Sequence, residues 1–144
     1  MDKNINSFNI RVYGLIIKSG SILLSKELIR GKELYKFPGG GLEYGEGLIE
    51  GLKREFEEEL NQTPYNIKHF YTTDFFQRSS FKSSDQLISI YFKGKLKNQI
   101  VNKIKKPTKD QPLFIWEKLE RLNENELSFP IDQLIVKKLK NIFI

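Results

Sequence analysis

FPGGGLEYGEGLIEGLKREFEEELNQ, residues 37–62, decides how the rest of this chain is read. It carries seven glutamates against one lysine and one arginine, in a protein whose formal net charge is +6. At about 100° per residue, Leu48, Ile49, Leu52, Phe56 and Leu60 share one face of a helix, predicted to lie on the core. Glu50, Lys53 and Glu57 fall on the solvent side, where Glu50 can pair with Arg54 one turn on. Glu55, Glu58 and Glu59 project together along a strip beside the core face.

That strip is unfavourable on its own. Like charges at this spacing cost roughly 0.2–0.5 kcal/mol per pair, and acids in the last turns oppose the helix dipole. A local rule broken without visible compensation points to a functional site. A divalent cation with an all-oxygen shell, Mg²⁺ or Mn²⁺, would compensate. The competing reading is a solvated acidic face paired with lysines elsewhere. Gly51 lies on the strip one turn before Glu55, with Gly47 nearby. A mid-helix glycine costs about 1 kcal/mol against alanine, offset either by room for a ligand or by close packing. Gly39, Gly40 and Gly41 permit close backbone approach and can bring a carbonyl beside the carboxylates. Asn61, as a left-handed cap, and Pro64 are predicted to end the helix.

The rest of the chain narrows the chemistry. Its 144 residues make one domain able to bury a real core. There is no cysteine and a single histidine, His69, so a bound metal must be held by oxygen. Neither a signal peptide nor a membrane span is expected, and a cytoplasmic location is. Residues 8–17 are apolar on both faces, as in a central strand. A turn and a second strand follow from Ser21, while the polar residues 25–36 are predicted as a loop ending in a short strand at 34–37. Strands are predicted at 65–76 and 86–96, and a basic segment at 103–112 leads into a short strand from Leu113. A closing helix begins near Ser128, with Pro130 in its first turn and Ile131, Leu134, Ile135, Leu139 and Ile142 in one stripe. This order gives an α/β class, a mixed sheet between helices.

Taken together, Gly40, Glu46, Arg54, Glu55, Phe56, Glu58 and Glu59 resemble the box of the Nudix hydrolase family, G-x5-E-x7-R-E-U-x-E-E-x-G-U, with U aliphatic or aromatic. The preceding FPGG is similar to that family as well. Asn61 replaces the last glycine of the box and keeps the cap. Gln62 replaces its last apolar position, and is expected to loosen packing there and to touch no chemistry. The resemblance implies an α/β/α sandwich, with residues 1–144 a single Nudix domain. It implies Mg²⁺- or Mn²⁺-dependent hydrolysis of a nucleoside diphosphate linked to another group, water attacking a phosphorus. Carried over, Glu58 and Glu59 are the main metal ligands, Glu55 a ligand or the general base, and the Gly39 carbonyl completes the shell. Arg54 holds the carboxylates in position, and Glu46 is structural, at the start of the helix.

The family also draws a further acid from a loop. Asp110 is the candidate and Asp85 the second choice. Arg78 and Lys82 are candidates for phosphate contacts, and Phe76, Phe75 or Tyr13 for stacking on a base. No proline lies between Pro64 and Pro107 and no tyrosine between Tyr71 and Tyr91, which argues against the ADP-ribose and dinucleoside polyphosphate markers. The expected partner is a small nucleotide-type substrate. Neither a membrane nor a nucleic acid is expected, and a homodimer stays open because many relatives dimerise. Two other functions compete: a regulatory, nucleotide-binding Nudix domain without turnover, and RNA binding or processing through the lysines at 95, 97, 103, 105, 106 and 109.

Overall fold

In the computed structural model, which describes residues 4–143, every strand is laid out from β1 (Ser7–Lys18). Ser19 and Gly20 are both left-handed (φ 53° and 79°) and turn the chain tightly into β2 (Ser21–Ile29). Arg30 and Gly31 repeat the device (φ 52° and 78°) and lead into β3 (Lys32–Lys36). Residues 25–36 are therefore a hairpin rather than the predicted loop. Their polarity reflects a half-exposed pair of strands, with Lys26 and Glu33 bridging it at 3.0 Å.

The three glycines form a strand of their own, β4 (Gly39–Gly41), antiparallel to Arg11–Tyr13 of β1. Space explains it. A Cβ on Gly39, whose φ is +146°, would stand 2.0 Å from the carbonyl oxygen of Val12. β5 (Tyr65–Thr72) runs antiparallel to β6 (Asp85–Lys95), and β6 lies parallel to β1. β7 (Leu113–Lys118) joins β2. The sheet path is β3-β2-β1-β6-β5, with β4 on β1 and β7 on β2.

Helices cover both faces. α1 (Leu48–Leu60) drives Leu52 and Phe56 among Val12, Ile16, Leu23 and Phe92. Its core face is narrower than predicted, since Leu48 and Ile49 are 38% and 42% exposed. Gly51 is buried instead, and a Cβ there would meet Leu42 Cδ1 at 2.7 Å, so this glycine serves close packing and not ligand space. Glu50 turns back to accept from the Gly47 amide at 3.1 Å, which takes it away from the predicted pair with Arg54. Asn61 caps α1 in the left-handed conformation (φ 56°, ψ 34°).

α2 (Pro130–Phe143) buries Ile131, Ile135, Val136 and Leu139 against Tyr13, Leu15, Phe37 and Tyr91. Ile142 is 61% exposed, and Val136 takes its place in the stripe. A single 3-10 turn at Glu124–Glu126, without a sequence signal we read, precedes α2. Asp132 is buried and accepts a hydrogen bond from the Tyr91 hydroxyl; burial pushes its carboxyl from 3.8 up to about 6. Among the described residues no helix is long and apolar enough to cross a membrane.

Two outcomes are expected. A Cβ on Gly14 would stand 2.5 Å from the Phe56 ring. Gly14→Ala should therefore cost about 1–3 kcal/mol, read as a lower urea midpoint at unchanged slope. Between pH 4 and 6 folded Asp132 stays protonated while the unfolded group ionises, so its contribution to stability is lost as pH rises through its folded pKa. Asp132→Asn should gain on the wild type by on the order of 2 kcal/mol between pH 4 and pH 7. A melting-temperature difference that is flat with pH would show that Asp132 carries no such shift.

Candidate active site

One guanidinium gathers the acids. Arg54, in the middle of α1, donates twice to Glu46, from Nε at 2.9 Å and from Nη2 at 2.7 Å. The same Nη2 reaches the Gly41 carbonyl of β4 at 2.9 Å, while Nη1 reaches Glu55 at 3.1 Å and Glu58 at 3.3 Å. Glu46 also accepts from the Glu43 amide at 2.9 Å. Hydrogen bonding from Arg54, then from Glu43, holds the Glu46 carboxyl below the usual carboxylate range. Glu46 is thus the anchor of Arg54, a role that its place ahead of the helix did not disclose.

Glu55 fits into the space of a missing side chain. A Cβ on Gly40 would lie 2.6 Å from its carboxyl group. Its side chain is 14% exposed, against 57% for Glu58. Glu59 is half-buried. Burial pushes its carboxyl up to about 7; Lys36 opposes the rise, and Glu27, Glu55 and Glu58 add to it. By formal charge, Glu46, Glu55 and Glu58 bring three carboxylates to the single guanidinium of Arg54. Among the described residues no three acids stand together at metal-ligand spacing. Two of them, Glu55 and Glu58, are turned onto Arg54. Oxygen-only donors with surplus negative charge suit a hard divalent cation. The Gly39 carbonyl accepts from Lys36 Nζ at 3.2 Å.

Lys36 lines a cavity and is electrostatically coupled to Glu59 of the acidic strip. Its ammonium is buried, pairs with Glu27 at 2.8 Å and lies 5.3 Å from the Tyr13 ring. Burial works against its charge, but Glu27, Tyr13 and Glu59 outweigh it, so its pKa is raised. The cavity, ≈ 190 Å³, is walled by Arg11, Tyr13, Lys36, Phe81, Tyr91 and Asp132 among others. Tyr13 stacks on Tyr91 at 5.1 Å, and Arg11 Nε donates to the Tyr13 hydroxyl at 2.6 Å.

Arg78, Lys82 and Phe76 lie beside this cavity, not in its lining; Ser79, Ser80 and Phe81 line it instead. Arg78 donates to the Ser83 carbonyl at 2.8 Å, Lys82 stands 3.9 Å from Asp85, and Phe76 is 53% exposed. Phe75 is 42% exposed and does not line the cavity, whereas Tyr13 does. Sequence reasoning missed Arg11, Lys36 and Asp132. A signal existed for the first two: each is a charged residue inside an apolar run, FNIRVYG and LYKFPGG. Asp110 shares a second cavity, ≈ 300 Å³, with Glu58, Glu59 and Lys103. Asp85 lies at the start of β6, away from the acids, with Oδ1 buried and making no hydrogen bond.

This geometry has relatives. The family model described as NUDIX domain matches residues 8–138. A MutT NUDIX hydrolase from Burkholderia pseudomallei superposes with a TM-score of 0.73 at 15% identity, over 93% of this chain and 99% of its own. The ORF135 protein of E. coli gives 0.71 at 18% identity, over 94% and 91%. A MutT protein from Methanosarcina mazei Go1 gives 0.67 at 22%, over 95% and 96%. No curated protein matches the sequence. These three structures share the fold, and the family model spans nearly the whole chain: the protein belongs to the NUDIX domain family.

Proposed function

We propose that this chain is a divalent-metal-dependent pyrophosphohydrolase acting on a nucleotide or nucleotide derivative, a nucleoside diphosphate linked to a further group. The observation that carries the proposal is the Arg54 hub, which ties Glu46, Glu55 and Glu58 to the β4 backbone beside a half-buried Glu59. A domain without turnover has no need to hold a self-repelling set of acids in register.

Glu55, Glu58 and Glu59 would hold Mg²⁺ or Mn²⁺, with Asp110 from the facing loop and the Gly39 carbonyl as further donors. A cation held there neutralises charge on phosphoryl oxygens and acidifies water. Glu55, whose carboxyl fills the space beside Gly40, would serve as a metal ligand or as the general base toward the attacking water. Arg54 keeps the carboxylates aimed and touches no substrate. The Tyr13–Tyr91 stack and Phe81 offer flat apolar surface for a base, and Asp132 offers it one polar group. Arg11 and Lys36 place positive charge between that cavity and the acids, where the phosphates of such a substrate would lie. The cysteine-free sequence suits a reducing cytoplasm.

The test is phosphate release, through a coupled phosphatase, from nucleoside triphosphates, nucleotide sugars and dinucleotides with Mg²⁺ or Mn²⁺. Glu58→Gln should lower kcat by roughly 100-fold. No turnover on any substrate, with nucleotide binding retained, would establish a regulatory domain instead. Arg54→Lys should lower kcat about 10–100-fold with little change in nucleotide KM, because one ammonium cannot span three carboxylates. Steady-state kinetics separates that outcome from a rise in KM, which would place Arg54 on the substrate.

A further inference from the structure

The loop between β6 and β7, residues 96–112, has no helix or strand of its own, yet it is held against the acidic end of α1. Two side-chain amides hold it, each by imitating a backbone partner. Gln62 Nε2 donates to the Asn98 carbonyl at 3.2 Å while Gln62 Oε1 accepts from the Asn98 amide at 3.2 Å. Further on, Asn102 Nδ2 donates to the Phe114 carbonyl at 2.8 Å and its Oδ1 accepts from the Phe114 amide at 3.0 Å. Leu96 and Ile100 pack on the α1-side core beside these two points. The Thr108 hydroxyl then accepts from the amides of Asp110 and Gln111, at 3.3 and 3.1 Å, and fixes the turn that carries Asp110. Asp110 and Lys103 thereby face Glu58 and Glu59 across one cavity.

Gln62 is the residue at which the box departs from an apolar side chain. Both of these hydrogen bonds of its side-chain amide go to the loop backbone. We propose that Gln62 is a positioning residue: it couples the end of the acidic helix to the 96–112 loop, and so sets Asp110 opposite Glu58 and Glu59. An apolar side chain here could offer only packing, whereas the glutamine reads the loop backbone through one donor and one acceptor, which fixes its register along the helix end. The proposal runs against the expectation that Gln62 touches no chemistry. The inference rests on the hydrolase reading of the acids.

Gln62→Met keeps the length of the side chain and deletes both hydrogen bonds, and Gln62→Leu is a second apolar variant. Each is compared with Asp110→Asn and with the double variant Gln62→Met/Asp110→Asn. Binding of Mn²⁺ to the protein alone is read from the electron paramagnetic resonance signal of the free ion. The Mn²⁺ dissociation constant should rise about 10-fold in Gln62→Met and in Asp110→Asn. The double variant should bind no more weakly than Asp110→Asn, because both changes act through one loop. Amide exchange at Asn98 should quicken in Gln62→Met, and kcat should fall at unchanged nucleotide KM. Wild-type affinity in Gln62→Met, or losses that simply add in the double variant, overturns the positioning role and leaves the hydrolase reading intact. A wild type that binds no Mn²⁺ and turns over no substrate overturns the hydrolase reading, and this inference with it.

Discussion

The acidic end of α1 is possible only because Arg54 is there. Three carboxylates, a backbone carbonyl and one guanidinium form a closed set, in which each planar N–H of the fork has an oxygen to meet. Glu46 approaches from outside the helix, Glu55 and Glu58 from the helix itself, and Gly41 from the sheet. The guanidinium therefore does more than neutralise. It ties α1 to β4, the two elements that carry Glu55, Glu58, Glu59 and the Gly39 carbonyl. A lysine in its place would supply the charge and lose the spacing.

The glycine strand is the second half of the same constraint. Gly39 can pair with β1 because it lacks a Cβ that Val12 would collide with, and Gly40 leaves the room that Glu55 fills. An alanine at Gly39 would collide with the β1 backbone, and one at Gly40 would displace the Glu55 carboxylate. The proximity of backbone and carboxylate is thus written in small residues on one element and in large charged ones on the other.

Much of this was legible in the sequence. The helix, its cap at Asn61, the central strand and the closing helix all follow from periodicity and capping, and the acidic strip was visible from spacing alone. Legibility failed wherever a residue answers to a distant neighbour. Residues 25–36 look like a loop because their strands are half solvated. Gly51 could have served ligand space or close packing, and only the packed position of Leu42 decides between them. Glu50 was free to choose between Arg54 and the helix amide, and the first turn won. Arg11, Lys36 and Asp132 meet around one cavity from three elements, a convergence that spacing along a single helix cannot display.

The parallel seam between β1 and β6 has a consequence in time as well as in space. Every rung from Ser7–Asp85 to Ile16–Gly94 joins residues 78 positions apart. The two tight hairpins and α1, by contrast, are built from near neighbours. Closing so long a loop adds little to the thermodynamic burden, because that penalty grows only with the logarithm of length, but it delays the pairing. During synthesis β1 waits with one edge bare while the acidic helix is already translated. The seam at the centre of the sheet closes after the hairpins, and only the pairing of β2 with β7, 87 to 97 positions apart, spans more chain.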